Sequence, residues 1–163
     1  KNTQIEYLYF HIHNKYYKIP TFGKITKIID FGRATFNVGK KLYFSDVFKK
    51  NGDAEGQYSY PYHHNVTKNK VKTNKSFDLA RLSTTIVQHF EEGTELFNLI
   101  KDWSTDKYGN CLIYHSDNFE LYKKIAKDVN GSIPQNQLKK EIFTKFIIDV
   151  ADIPSAQQIF KYS

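Results

Sequence analysis

The chain has 163 residues, 40% hydrophobic and 16% aromatic, which suits one globular domain with a core and excludes a disordered or low-complexity segment. The single cysteine, Cys111, excludes an internal disulfide, and no apolar run approaches the length of a membrane span. A formal charge of +7 and a pI near 9.3 suit acidic or phosphorylated partners as well as simple solubility.

Residues 5–12 are rich in β-formers, residues 13–15 supply a turn, and residues 16–19 resume the extended pattern, which predicts a β-hairpin. A second turn over 20–23 leads into Lys-Ile-Thr-Lys-Ile-Ile at 24–29, expected to form a buried third strand ending at Asp30. Residues 33–75 show no sustained periodicity. Within them 41–44 can pair as a strand, 51–56 reads as a loop, and the lysine-rich stretch 65–75 reads as an exposed one. Thr35, Ser45, Tyr58 and Ser59 are hydroxyls of this segment, and phosphate on one of them would be drawn to the lysines.

From residue 76 the period changes to that of a helix. Leu79, Leu82, Ile86 and Phe90 define one apolar face, and Gly93 is a natural stop. Residues 95–103 repeat the pattern with Leu96, Ile100 and Trp103. Asp117 or Asn118 is placed to cap a third helix that turns Phe119, Tyr122, Ala126 and Val129 inward, and Asn130-Gly131 ends it. Pro134 suits the first turn of a fourth helix covering Leu138, Ile142 and Phe143, and a short terminal helix is expected after Pro154. The predicted class is α+β, mainly α: a β layer over 1–32, a long loop over 33–75 and a helical bundle over 76–163.

The motif with chemical content is Asp30-Phe31-Gly32. A carboxylate at a strand end, followed by an aromatic and a glycine, is the arrangement that holds magnesium against ATP phosphates in protein kinases. The stretch 16–34, with Ile19-Pro20-Thr21 and Ile28-Ile29-Asp30-Phe31-Gly32, resembles the metal-binding segment of kinase-like proteins encoded by large DNA viruses. The Ile-Pro-Thr turn is similar to that of haspin-type kinases. Gly56-Gln57-Tyr58, the segment 76–82 around Phe77-Asp78, and the segments 121–126 and 133–138 fit the same viral group.

The resemblance implies the C-terminal lobe of a protein-kinase-like fold and a Ser/Thr kinase moving the γ-phosphoryl group of ATP to a protein hydroxyl with Mg2+. It makes Asp30 the magnesium ligand. Phe31 becomes part of the hydrophobic column aligning the lobes, and Gly32 frees the segment that follows. Asp78 becomes a buried acceptor that holds the catalytic loop in shape. It further implies a protein substrate or virion proteins as partners and the host cytoplasm or virion as location. The alternative is a pseudokinase or virion scaffold keeping the fold as a binding surface.

There are departures from that pattern. No glycine-rich phosphate loop, Val-Ala-Ile-Lys-like strand or Ala-Pro-Glu is present. His11-Ile12-His13-Asn14 fails as a catalytic loop, because its third residue is not Asp and Lys18 falls where the second metal ligand belongs. These residues therefore hold no catalytic base. A chain that opens Lys-Asn-Thr and contains no methionine is expected to be part of a longer protein whose N-terminal part supplies these elements.

Other candidates carry less. His11 and His13 alternate on the predicted first strand but lack a third ligand, and His63-His64 shares that weakness. Cys111 reads as a small buried hydrophobe. Asn65, Asn74 and Asn130 open glycosylation patterns that mean nothing without secretion. Nucleic acid is not an expected partner, since no recognisable binding motif accompanies the lysines.

Overall fold

The computed structural model describes residues 6–49, 51–55, 57, 73–115 and 118–162. Helices and strands are mixed, as an α+β chain requires, in two compact units. One unit combines residues 1–29 with 138–163, and the other is the continuous segment 30–137.

In the first unit, β1 (Tyr7–Ile12) and β2 (Lys15–Pro20) form the expected antiparallel hairpin, with Ile12 opposite Lys15. The loop is only His13-Asn14, and both residues carry positive φ, 47° and 61°, the requirement of a type I′ turn whose twist matches its strands. His13 thus lies in the turn, not on the strand with His11. His11 instead stacks on Tyr16 across the hairpin, with ring centroids 4.4 Å apart.

Residues 24–30 form no strand, contrary to the expectation for 24–29. Ile28 and Ile29 are each 79% exposed, so neither apolar partner nor strand neighbour rewards their β-propensity. The sheet is completed from the far end of the chain. β5 (Ile147–Ile148) pairs antiparallel with β2, and β6 (Ile159–Tyr162) pairs parallel with β1, giving the order β5-β2-β1-β6. β6 occupies the region where a terminal helix is expected. Phe10 meets Phe160 at 5.5 Å and Tyr162 at 6.2 Å, a cross-strand aromatic cluster that suits extended backbone.

The second unit starts with a two-stranded hairpin, β3 (Thr35–Val38) and β4 (Lys41–Phe44), joined by Gly39-Lys40. A turn over Asp46–Phe48 follows, and Phe48 and Ala54 are buried there with Ala126. Gly52 sits so close to this turn that a Cβ would lie 2.4 Å from the Val47 carbonyl oxygen, which explains the glycine.

The helices are α1 (Phe77–Ile86), α2 (Glu95–Trp103), α3 (Asn118–Asp128) and the single turn α4 (Pro134–Gln137). Thr94 caps α2 by accepting the Phe97 N–H at 3.2 Å, and Pro134 opens α4 as expected. The predicted inward faces hold in part: Ile86, Phe90 and Trp103 pack against the cluster of Val87, Phe97 and Ile100, and Ile100, Ala126 and Val129 are buried, but other predicted positions face outward. α1 buries Ala80 and Ser83, while Leu82 is exposed. α2 buries Phe97, Leu99 and Ile100, while Leu96 is exposed. α3 buries Leu121, Ile125 and Ala126, while Phe119 is exposed. Small residues win on α1 because α2 lies close: the Ser83 hydroxyl donates to the Ile100 carbonyl and meets Ser104 Oγ at 3.1 Å. Ile100, Ile125 and Val129 are almost fully buried, each contributing about 1.5–3 kcal/mol. The fourth helix ends early. Leu138 lies past its last turn, and Ile142 and Phe143 belong to a 3-10 segment, Glu141–Phe146, of the first unit.

Candidate functional site: the Asp-Phe-Gly turn

Asp30 has φ 61° and ψ 75°, a left-handed backbone that Asp tolerates better than most residues. Its Oδ1 accepts the Gly32 N–H at 3.2 Å, closing a short Asx-type turn. Phe31–Arg33 then make one 3-10 turn, and the Ala34 N–H donates to the Phe31 carbonyl at 2.9 Å. No other described residue bonds the Asp30 carboxylate, and Asp30 is exposed. The whole tripeptide is exposed, Phe31 to 68%, so Phe31 joins no hydrophobic column within the described residues.

Asp78 is also placed differently from the expectation. It is the second residue of α1, where the helix dipole favours a carboxylate, but it is exposed rather than buried. It accepts no hydrogen bond among the described residues. The start of α1 is instead fixed by Asn74, which the sequence reading passed over except as a glycosylation pattern. Asn74 Nδ2 donates at 2.8 Å to the carbonyls of Ala126 and Val129 and at 3.2 Å to that of Ile125. Its Oδ1 accepts the Ser76 N–H at 2.8 Å, and Ser132 Oγ donates to the Ser76 carbonyl at 3.1 Å. One amide thus joins the first turn of α1 to the last turn of α3. The available signal is an Asn two residues before the N-cap Ser76 and three before the helix start, a usual Asx geometry.

A second polar anchor also escaped the sequence reading. The Asp106 carboxylate accepts the N–H groups of Tyr108 at 2.9 Å and Asn110 at 2.8 Å, and the Asn110 amide at 3.1 Å. Desolvation pushes this carboxyl upward, but the bonds from Asn110 and Tyr108 and the charge of Lys124 outweigh it and hold it below the usual carboxylate range. Next to it Lys107 pairs with Asp128 at 2.9 Å. That bond, together with Tyr108, holds the ammonium above its usual range.

The remaining candidates fall apart spatially. Among the described residues no three His, Cys, Asp or Glu side chains assemble as a metal cage. Cys111 is half-buried, with its sulfur 3.9 Å from Ser104 Oγ, rather than fully inside. Thr35 lies half-buried on β3, and Ser45 caps the turn at Asp46 by accepting the Val47 N–H. Tyr58, Ser59, His63, His64, Asn65, Asp117 and most of the lysine-rich stretch lie outside the described residues.

Compared with family models, curated proteins and solved structures, the chain gives no match. No helix of the described residues is long and apolar enough to cross a membrane.

Proposed function

We propose that the chain is part of an ATP-dependent phosphoryl-transfer protein, with Asp30 as its magnesium-holding carboxylate. Within that class the reading is a Ser/Thr protein kinase of the kind found in large DNA viruses, the residues here belonging to its C-terminal lobe. The observation that supports it most is the backbone of Asp30. A non-glycine residue held at φ 61° is uncommon, and such conformations gather at functional sites. Here it coincides with the one acidic residue of the Asp-Phe-Gly motif.

The donor set suits magnesium in this role. Mg2+ is commonly held by one or two carboxylates, with phosphate oxygens and waters completing an octahedron. Asp30 offers one exposed carboxylate with an oxygen uncommitted to the turn. Bound there, Mg-ATP would supply the phosphoryl group, with the metal neutralising phosphate charge. The chain's own contribution is positional: the Gly32 N–H restrains one carboxylate oxygen, and the left-handed turn presents the other. In this reading the catalytic base, the second metal ligand and the phosphate cradle come from outside these residues, and a protein hydroxyl is the acceptor.

The exposure of Phe31 favours a second reading, a pseudokinase or virion scaffold that uses this turn as a contact surface. Phosphate transfer by the whole protein separates the two. Transfer from labelled ATP to a test protein, reduced to background by Asp30→Ala, supports the kinase. Transfer undiminished in that variant removes the metal role from Asp30. Absence of any magnesium-dependent thermal shift with ATP in the unmutated protein favours the scaffold.

A further inference from the structure

The hairpin β3–β4 is a two-stranded sheet with no third strand among the described residues. Such a ribbon is marginal by itself. One face carries Phe36, Val38, Lys41 and Tyr43, the Phe36 and Tyr43 rings stacking at 5.4 Å with Lys41 Nζ 4.9 Å from the Tyr43 centroid. This face remains open: Phe36 is 54% exposed and Val38 61%.

The edge of β3 has no strand beside it among the described residues. Val38 and Lys41 flank a two-residue loop and exchange both backbone hydrogen bonds, and the antiparallel alternation makes Phe36 and Tyr43 the next such pair. Thr35 and Asn37 therefore direct their N–H and C=O groups away from β4, and neither has a backbone partner there among the described residues. From Asp30 to Lys49 the charged residues are Asp30, Arg33, Lys40, Lys41, Asp46 and Lys49, all exposed and in positive surplus, with Asp46 paired to Lys49 at 2.6 Å.

We propose that this hairpin takes an acidic protein segment as an added third strand on the β3 edge. Main-chain hydrogen bonds to Thr35 and Asn37 would supply the pairing. Alternate apolar side chains of the segment would cover Phe36 and Val38, and its carboxylates would reach Arg33 and Lys40, which flank the two ends of β3. A second copy of this chain fits poorly, because it would bring the same cations against themselves. A nucleic-acid strand offers no amide ladder for the open edge. The inference is independent of whether the protein uses ATP.

The test is fluorescence anisotropy of labelled peptides titrated with the full chain. The probes are a peptide alternating valine and glutamate, its lysine counterpart, and two versions of the glutamate peptide N-methylated at alternate residues in opposite frames. Oligothymidylate serves as the competing class. The glutamate peptide should bind at least about tenfold more tightly than the lysine one, since opposite rim charges select the partner. Methylation in one frame should abolish binding and in the other spare it. The paired changes Arg33→Glu and Lys40→Glu should invert the charge preference, and Phe36→Ser should weaken binding about tenfold through lost apolar contact. These positions are exposed, and Trp103 fluorescence verifies folding of the variants. Equal binding of both peptides, tolerance of methylation in both frames, preference for oligothymidylate, or concentration-dependent dimerisation through this face would overturn the proposal.

Discussion

Replacing Asn74 by Ala tests the joint between α1 and α3 most directly. The amide group has two N–H bonds to give, and it gives them to the carbonyls of Ala126 and Val129 with a weaker share to Ile125. Its oxygen takes the Ser76 N–H. At about 1 kcal/mol for each of two donated bonds and one accepted bond, the loss is about 3 kcal/mol. The Ala126 carbonyl belongs to the last turn of α3 and that of Val129 lies just past it, where helical partners run out, whereas the Ile125 carbonyl also accepts the Val129 N–H at 3.3 Å. Urea unfolding followed by Trp103 fluorescence reads this unit specifically, because Trp103 is the only tryptophan and its Nε1 donates to Gln137 at 2.9 Å. With an ordinary urea dependence the midpoint should fall by about 1–2 M without a change in slope. Asn74→Asp is the informative control. It keeps an acceptor for Ser76 but sets oxygen against three carbonyls, so it should destabilise at least as much. An Asp variant as stable as the parent would refute the claim that the donated bonds hold the helices together.

Gly52→Ala should cost about 2 kcal/mol or more, because the added methyl meets backbone of the Asp46–Phe48 turn rather than a movable side chain. The same urea assay measures it, and a loss below a few tenths would contradict the close approach. Asp106 makes stability depend on acid. Its folded carboxyl lies below the ordinary value near 3.8, so its contribution is present above that pH and fades as pH falls through the lower folded value. Carboxyl titration by NMR should show the depressed midpoint, and Asn110→Ala should return it toward the ordinary value; an unchanged midpoint would discount the Asn110 bonds.

Local chemistry made part of this fold readable. The first hairpin follows from a run of β-formers broken by His13-Asn14, and α2 follows from an apolar period closed by a threonine cap. What escaped depended on partners distant in sequence. Residues 24–29 have the composition of a strand but no neighbour to pair with among the described residues. β6 is a strand only because Phe160 lies beside Phe10, a pairing no local window contains. On α1 Ile86 lies against the core as its period predicts, whereas Leu82 is exposed and the approach of α2 selects the small residues Ala80 and Ser83. At the candidate site the motif was legible but its geometry was not. Asp30 stands on a left-handed turn instead of a strand end, and Asp78 is exposed at the start of α1, where Asn74 makes the bonds to α3.

The pairing of β6 with β1 has a consequence for biosynthesis. Segment 30–137 leaves the ribosome whole, with its helices and their local contacts, before the strand that finishes the other sheet exists. Until then β1 has an unpaired edge, a template for pairing with another nascent chain. β6 is thus made after the other described strands and yet covers the edge of β1, so a chain released at residue 158 would leave that edge open.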